Sequence, residues 1–232
     1  MTDIFSWNRF FDNIPKILPY LSVTVKIVLF ATVFGILLGI ITAIIRINKI
    51  PVLNQIMGIY ISFMRGTPML VQMMLVYYGL PAILEGLFQW NINRWDKVLF
   101  VYITFALNQG AFLSEIFRSA ILAVPSGQSE AGYSVGMTRI QTFKNIVLPQ
   151  AVRVALPGFG TDFIGLFQNT SLAFLIGVVD VMGRAKTIGT ATKHVIEAYV
   201  FIALLFTVVS IVMQLGFISA DKKLNYKNEV SV

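Results

Sequence analysis

Long apolar stretches alternate with short polar connections along this chain, and five of the stretches are long enough to cross a lipid bilayer. A bilayer-crossing helix needs about 20 mostly apolar residues, because every backbone N–H and C=O must find its partner within the helix. The pattern predicts transmembrane helices over residues 18–45, 68–84, 97–123, 155–179 and 198–220. We therefore expect an all-α, polytopic membrane protein whose transmembrane domain covers residues 18–220.

The two ends of the chain carry a different pattern. Ile4, Trp7, Phe11 and Ile14 recur at helical spacing within residues 1–17, which predicts an amphipathic helix on the membrane surface with Trp7 at headgroup depth. A frayed N-terminal tail is the alternative interpretation. Residues 221–232 follow the last apolar stretch and contain three lysines, so we expect them to form a basic cytoplasmic tail.

Composition strengthens the membrane interpretation and excludes several classes of protein. Hydrophobic residues make up 56% of the chain and charged residues only 12%, whereas a soluble domain has about 25% charged residues. So little polar surface excludes a soluble enzyme, a disordered scaffold and a nucleic-acid-binding protein, despite the formal net charge of +7. With no cysteine and a single histidine, His194, the chain is expected to hold neither a disulfide nor a metal, and no cofactor is implied.

Basic residues predict the orientation in the membrane. Five spans place the two termini on opposite sides, and a C-terminus inside leaves the larger share of the loop Lys and Arg residues in the cytoplasm. Cytoplasmic loops carry an excess of such residues. We therefore expect the N-terminus outside and the C-terminus inside.

The first span contains a ladder of small residues. Ala31, Gly35, Gly39 and Ala43 recur every four residues, so they share one face of the helix. Small residues allow two helix backbones to approach closely within a membrane. The ladder therefore predicts a helix-packing face with no ligand role.

Residues 124–153, between the third and fourth spans, are too polar for a membrane helix and too long for a simple turn. Gly136 is expected to end a first short helix in a left-handed conformation, and Thr138 to cap a second helix that Pro149 ends. Two short helices joined at a glycine form a compact knob, which suits a groove on a partner protein. The alternative is a loop that lies on the lipid headgroups.

The same loop carries a motif of known spacing. Glu130-Ala131-Gly132, three residues, Gly136, nine residues and Ile146-x-Leu148-Pro149 resemble the EAA loop of ABC importer permeases, where alanine is usual in place of Gly132. That glycine weakens helix propensity by roughly 1 kcal/mol, so a less rigid helix is expected. Two further stretches, Arg65-Gly66-Thr67-Pro68 and Glu115-Ile116-Phe117-Arg118, are similar to the polar amino-acid branch of those permeases.

The resemblance implies a fold, a location and partners. Such permeases have the type I ABC importer transmembrane fold and form homodimers or heterodimers of permease subunits in the bacterial cytoplasmic membrane. An ATP-binding cassette subunit docks under each EAA loop, and an extracytoplasmic solute-binding protein delivers the substrate. The resemblance gives Glu130, Ala131, Gly132 and Gly136 the role of coupling to the ATPase. The chain itself contains no G-x-x-x-x-G-K-[ST] phosphate-binding loop, so we expect a non-catalytic subunit.

Polar groups at membrane depth mark the expected substrate pathway, because charged and amide side chains are costly there. Those of the third span and those of the fourth each share one helix face. With two weaker wall candidates at the end, the proposed pathway residues are Asn108, Glu115, Asp162, Gly165, Gln168, Asn169, Leu107 and Tyr77.

Several of these residues also have a purely structural interpretation. Glu115 and Arg118 are three apart and can form an ion pair within one helix, while Asp162 can snorkel or cap locally. Gln168 and Asn169 can be interhelical hydrogen-bond partners. In the similar permeases the stretch matching these two amides commonly reads Lys-Asp, so a fixed charge is missing at that contact.

The main functional hypothesis is a permease subunit of an ATP-driven importer for polar amino acids. A secondary transporter or channel for small solutes is the alternative, although an odd number of spans does not readily supply inverted repeats. A non-transporting membrane subunit would leave the EAA spacing unexplained. Which amino acid is carried is left open.

Overall fold

The computed structural model describes residues 5–229, with side chains through residue 224. Residues 1–4, which include Ile4 of the predicted amphipathic segment, and residues 230–232 of the predicted tail lie outside the described part. Every regular element within it is helical, which confirms the predicted fold class. In chain order the α-helices are α1 (Trp7–Ile17), α2 (Leu21–Ile47), α3 (Leu53–Gly66), α4 (Met69–Met74), α5 (Leu80–Phe88), α6 (Lys97–Leu122), α7 (Ser126–Ser134), α8 (Arg139–Thr142), α9 (Leu148–Asn169), α10 (Val181–Thr192) and α11 (Val195–Glu229).

Four helical stretches in this part of the chain are long and apolar enough to cross a membrane: Trp7–Ile47, Met69–Phe88, Lys97–Leu122 and Val195–Leu224. A fifth crossing exists if Arg139–Ile176 and Val181–Thr192, which meet at a bend of 50°, act as one broken span. The predicted fourth span, 155–179, is displaced, because its helix begins before residue 155 and a left-handed Gly177 (φ 89°) follows the 3-10 turn after α9.

Sequence reasoning missed two helices, α3 and α10. α3, with 14 residues, is shorter than a membrane span, and α10 contributes to one only together with the helix before the bend. α3 is separated from α4 at Gly66-Thr67-Pro68, where Thr67 is extended (φ −118°, ψ 148°) because a proline disfavours a helical residue before it. The second long apolar helix therefore begins at Met69, close to the predicted start.

Two π-helical turns, Leu75–Gly79 and Phe143–Val147, interrupt longer helices. Each precedes a proline by two residues, Pro81 in the first case and Pro149 in the second. A proline ring clashes with the carbonyl four residues before it in a regular α-helix, and a wider turn at that place gives the ring room. The prediction that Pro149 ends the second knob helix is therefore wrong, because α8, the π turn and α9 continue as one helix.

The small-residue ladder of α2 faces α6. A Cβ atom on Gly35 would lie 2.7 Å from Gln109 Cβ, and one on Gly39 would lie 3.2 Å from the backbone nitrogen of Ser114. Both glycines are buried. The two helix backbones thus approach closely where side chains are absent, which confirms the predicted packing role.

α1 lies at the end of the bundle opposite α7 and α8, where it packs on α10 and α11. Phe10 is buried against Phe201 with ring centroids 6.1 Å apart, and Arg9 forms an ion pair of 3.2 Å with Glu197. Trp7 and Phe11 stay exposed. An N-terminal helix with an exposed aromatic face is thus present, and its position on the membrane surface stays a prediction.

The last helix differs from the prediction at its C-terminal end. α11 runs without interruption through the predicted end of the fifth span, residue 220, to Glu229. The basic segment after the span is therefore helical as far as Glu229, and its role as a cytoplasmic tail stays a prediction.

Candidate functional site

Polar side chains in the middle of α6 bond to helices on two of its sides. α3 and α4 pack along one side of α6, and α9 packs along another. Asn108 bonds to Gln72 of α4 (Nδ2 to Oε1, 2.8 Å), whereas the adjacent Gln109 bonds to Asp162 of α9. Phe112 comes one helical turn after both residues, so its half-buried ring lies between the two walls. We call this part of α6, together with the α3–α4 side and the α9 side that bond to it, the α6 groove.

Gln72 fixes the broken wall of the α6 groove. Its side chain is buried, and Nε2 donates hydrogen bonds to the carbonyl oxygens of Met64 (2.7 Å) and Thr67 (3.0 Å). The break at Pro68 deprives these carbonyls of helical partners. Backbone groups at membrane depth must be satisfied inside the protein, so the amide of Gln72 replaces the missing bonds and ties the break to Asn108.

Arg65 extends from the end of α3 over the floor of the groove. The carbon atom of its guanidinium lies 5.5 Å from the centroid of the Phe112 ring, within the range of a cation–π contact. The side chain is exposed and donates no hydrogen bond to any described residue. The guanidinium of Arg65 therefore contacts an aromatic ring and forms no ion pair with a carboxylate of the described residues.

Asp162 occupies the opposite wall. Its Oδ2 accepts a hydrogen bond from Gln109 Nε2, and its Oδ1 accepts none from the described residues. The residue is partly buried, and Arg65 lies within electrostatic range of it. The carboxylate bonds across to α6 and to no group of its own helix among the described residues, so it does not cap locally, and the snorkelling alternative stays a prediction.

Glu115 has a different environment. Both of its carboxylate oxygens accept hydrogen bonds from Arg118, with distances of 3.1 Å from Nε and 2.7 Å from Nη2 to Oε2, and 3.1 Å from Nε to Oε1. The predicted ion pair within α6 is therefore confirmed. The charge of Glu115 is therefore balanced by that of Arg118. A pathway role for Glu115 stays a prediction.

The remaining candidates on α9 divide between two faces. Gly165 and Asn169 follow Asp162 at helical spacing, with open space around the Gly165 Cα and an exposed Asn169 side chain. Gln168 points elsewhere, since its Nε2 donates to the Ser210 hydroxyl of α11 at 3.2 Å. The interhelical hydrogen-bond interpretation thus holds for Gln168, while Gly165 and Asn169 extend the wall that carries Asp162.

The two weaker wall candidates are engaged in packing. The carbonyl oxygen of Leu107 accepts a hydrogen bond of 2.5 Å from the Tyr60 hydroxyl of α3. Tyr77 lies in the first π turn, with its ring edge against Phe100 at 5.4 Å. Both residues help to hold the α3–α5 side on α6, and their part in a pathway stays a prediction.

The predicted knob is present at one end of the bundle. Gly136 has the left-handed conformation expected of it (φ 81°), and Thr138 begins α8 with a capping box completed by Gln141. Glu130 and Ala131 are exposed. We call α7 and α8 together the coupling knob.

Gly132 has a role that helix propensity did not suggest. It is the buried residue of α7, and an added Cβ atom would lie 2.9 Å from Thr142 Cγ2 and 3.0 Å from Ile146 Cδ1. The missing side chain lets α7 sit directly on α8 and the following π turn. The expected loss of rigidity at this glycine is therefore countered by close packing.

Sequence reasoning did not identify Gln72 and Gln109 as parts of the groove. A glutamine inside the apolar stretch 68–84 is a signal in itself, because amides are costly at membrane depth, and Gln109 is adjacent to a chosen residue. The sequence marks Arg65 only as part of the Arg65-Gly66-Thr67-Pro68 motif. Which helix each of these side chains faces depends on tertiary packing, which no local pattern contains.

The chemistry offered by the groove is that of a polar binding site. Among the residues whose side chains the structure describes, no group of three or more His, Asp or Glu could hold a metal ion. The α6 groove instead presents a guanidinium, a carboxylate, neutral amides and an aromatic face. Such a set can bind a charged organic solute by hydrogen bonds and ion pairs.

The chain is similar in sequence to known transport proteins. The family model of binding-protein-dependent transport system inner membrane components matches residues 35–224. The chain is 38% identical to the L-cystine transport system permease protein TcyL of Bacillus subtilis (strain 168), covering 100% of this chain and 96% of the relative. It is 30% identical to the glutamate/aspartate import permease protein GltK of Escherichia coli O6:H1, covering 89% and 92%.

Solved structures agree with these matches. A crystal structure of an amino acid ABC transporter with histidines contains a chain of 28% identity and TM-score 0.83, covering 96% of this chain and 100% of that one. A chain of the MetNI methionine ABC transporter, 16% identical with TM-score 0.66, covers 95% and 99% and shares the fold. The chain therefore belongs to the inner-membrane components of binding-protein-dependent transport systems, as a multi-pass permease subunit of an ABC importer for polar amino acids.

Proposed function

We propose that the chain is a non-catalytic subunit that lets a polar amino acid pass through the α6 groove. A separate ATP-binding subunit, docked on the coupling knob, hydrolyses ATP. The observation that carries the proposal is the knob itself. Tyr133, Val135 and Ile140 are 47%, 75% and 79% exposed beside the exposed Glu130. A protruding apolar surface of this kind marks a protein interaction site.

The knob is built to transmit a displacement. The left-handed Gly136 and the Thr138 capping box fix the angle between α7 and α8, and Gly132 seats α7 on Thr142. α8 continues through the π turn into α9, the helix that carries Asp162. A push on the knob would therefore move one wall of the α6 groove relative to its floor.

Charge favours a cytoplasmic position for the knob. Arg139 and Lys144 lie in or beside it, and Lys222 and Lys223 lie near the same end of the bundle, since Phe217 of α11 contacts α9 near its middle. The positive-inside rule then places the C-terminus inside and the N-terminus outside. The opposite end, with α1 and α10, would face the solute-binding protein.

A second permease subunit would complete the pathway. The α6 groove has a floor and two walls, and the side over Phe112 and Gly165 is left partly exposed. A homologous subunit facing it, identical or similar, would close the passage from lipid. Relatives of this chain are named as permeases for cystine, for arginine and for glutamate or aspartate. The proposed substrate is therefore an amino acid, without a choice among these.

Replacing Gly136 by valine tests the proposed coupling. A β-branched residue cannot adopt φ 81° without strain, even though the space around Gly136 is open. We expect substrate-stimulated ATPase activity of the assembled complex to be abolished while membrane insertion is intact. Gly216→Val, at an equally open position on α11 with ordinary backbone geometry, is the control. Normal coupled transport by the Gly136→Val complex would overturn the proposal.

A further inference from the structure

An apolar cavity of about 510 Å³ lies between α2, α6 and α9, at the end of the bundle that carries the coupling knob. Its volume is within the range of about 300–1,000 Å³ that is usual for ligand sites. Four buried alanines are among its lining residues, and their short side chains leave space between the three helices: Ala43, Ala120, Ala151 and Ala155. We call this cavity the alanine recess.

The lining of the alanine recess selects the kind of ligand. Every lining residue is an alanine, valine, leucine, isoleucine or phenylalanine, so no side chain offers a hydrogen bond. A polar group buried without a hydrogen bond is costly, which excludes a polar solute. The part of a ligand that enters the recess must therefore be hydrocarbon.

The recess opens at the surface of the membrane domain. Ile40 and Ile44 of α2 and Val152 of α9 line it, and they are 44%, 49% and 48% exposed. α2 belongs to a helical stretch long and apolar enough to cross a membrane, and α9 to a bent helix pair that passes the same test. An apolar opening on such helices is in contact with lipid wherever no other protein covers it.

The recess faces away from the side where a second permease subunit is proposed. That side lies over Phe112 of α6 and Gly165 of α9. Ile121 lines the recess nine residues after Phe112, and Leu156 lines it nine residues before Gly165. Nine residues turn an α-helix by about 180°. A partner over Phe112 and Gly165 would therefore leave the recess to lipid.

Length and charge suit one phospholipid chain. The lining residues of α2 run from Ile36 to Ile44, about 12 Å along the helix, and one leaflet of the hydrocarbon core is about 15 Å deep. At the knob end, the exposed Lys144 directly follows the lining residue Phe143, and the exposed Lys49 follows the end of α2. Neither ammonium group donates a hydrogen bond to a described residue.

We propose that the alanine recess binds an acyl chain of an anionic phospholipid, whose headgroup contacts Lys144 and Lys49. Burial of the chain supplies hydrophobic free energy, and the two lysines attract a negative headgroup. Phe143 belongs to the π turn that joins α8 to α9. The bound lipid therefore contacts the element that carries the coupling knob into the membrane domain.

Crosslinking with a photoactivatable lipid tests the site. The purified transporter that contains this chain would be placed in phosphatidylcholine nanodiscs with a rising fraction of phosphatidylglycerol that carries a diazirine in its acyl chain. Mass spectrometry would then locate the adducts. We expect labelling of residues 36–44 and 143–159 to saturate at a low fraction of phosphatidylglycerol. Labelling of the exposed apolar face of α11 should instead rise in proportion, as for unspecific lipid contact: Val208, Val212 and Leu215.

Two results of this experiment would overturn the proposal. Labelling of the recess that only rises in proportion, as on α11, would mean unspecific contact with the surrounding lipid. Absence of labelling at the recess would mean that another subunit or a second copy of this chain covers it. The assay uses neither ATP nor a transported solute, so its outcome is independent of whether the proposed transport function holds.

Substitutions on α9 test whether the recess itself holds the chain. Val152→Phe adds a ring at the exposed rim, and Ala151→Phe fills the buried part. Both should lower the saturable labelling at least severalfold. Val154→Phe is the matched control, because Val154 is 52% exposed on the same helix and does not line the recess. Unchanged saturable labelling in Val152→Phe would contradict the assigned site.

A lysine substitution tests the headgroup contact. Lys144→Gln should lower the preference for phosphatidylglycerol over phosphatidylcholine about fivefold, measured by competition of each unlabelled lipid against the photoactivatable one. Lys26→Gln removes a charge from an exposed position near the other end of α2 and should leave the preference unchanged. An equal preference in the Lys144→Gln and unmodified transporters would refute the contact with Lys144.

Discussion

Replacing Gly132 by alanine probes how closely the coupling knob must sit on the start of α9. The added Cβ atom would lie 2.9 Å from Thr142 Cγ2, while ordinary contacts begin near 3.4 Å, so about 0.5 Å of movement (3.4 minus 2.9) is required. The end of Ile146 can rotate away. Thr142 is 1% exposed and β-branched, which restricts its rotamer, so α7 must move instead.

The energetic effect of this substitution is small compared with its mechanical effect. Overpacking of this kind destabilises by about 1–3 kcal/mol, and alanine is favoured over glycine within a helix by about 1 kcal/mol. The net destabilisation is then about 0–2 kcal/mol, so the complex should fold. The displaced knob should nevertheless lower substrate-stimulated ATPase activity severalfold in proteoliposomes.

A second substitution tests whether the contact with Thr142 causes the loss of coupling. Thr142→Ala removes both atoms that Thr142 places within 3.0 Å of the new Cβ, and the Thr142 hydroxyl has no hydrogen-bond partner among the described residues to lose. The Gly132→Ala, Thr142→Ala double variant should therefore recover coupling relative to Gly132→Ala alone. Wild-type coupling in the single variant, or no recovery in the double variant, would refute the packing argument.

Two further substitutions address the membrane domain. Gly39→Ala should lower the stability of the complex by about 1–3 kcal/mol, because the new Cβ would lie 3.2 Å from the backbone nitrogen of Ser114 in α6. Thermal unfolding in detergent would show a lower midpoint for this variant and an unchanged midpoint for the control, Gly216→Ala. Equal midpoints for the two variants would contradict the prediction. Gln72→Leu should destabilise by about 1–3 kcal/mol through unsatisfied carbonyls at the helix break, and unchanged protease resistance of that break would count against the assigned role.

Local chemistry accounts for what the sequence predicted well. α6 spans Lys97–Leu122 against the predicted 97–123, because a long apolar run bounded by a polar N-terminal turn specifies its own helix. Gly136 and Thr138 behave as predicted, since left-handed backbone and capping depend on the residue itself and its near neighbours.

Tertiary contacts account for what the sequence did not reveal. Pro149 is tolerated because a π turn widens the helix before it, and α10 follows a bend at Gly177 that no apolar pattern marks. In the groove, Asn108 and Asp162 could be chosen as polar groups at membrane depth. Their partners, Gln72 and Gln109, depend on which faces of three helices meet.

Uptake of radiolabelled amino acid into proteoliposomes tests the central claim most directly. The permease would be reconstituted with a saturated solute-binding protein, with and without its ATP-binding subunit, and with ATP or without it. The account predicts accumulation against a gradient only when both the ATP-binding subunit and ATP are present. Uptake of the same extent by the permease alone would contradict it.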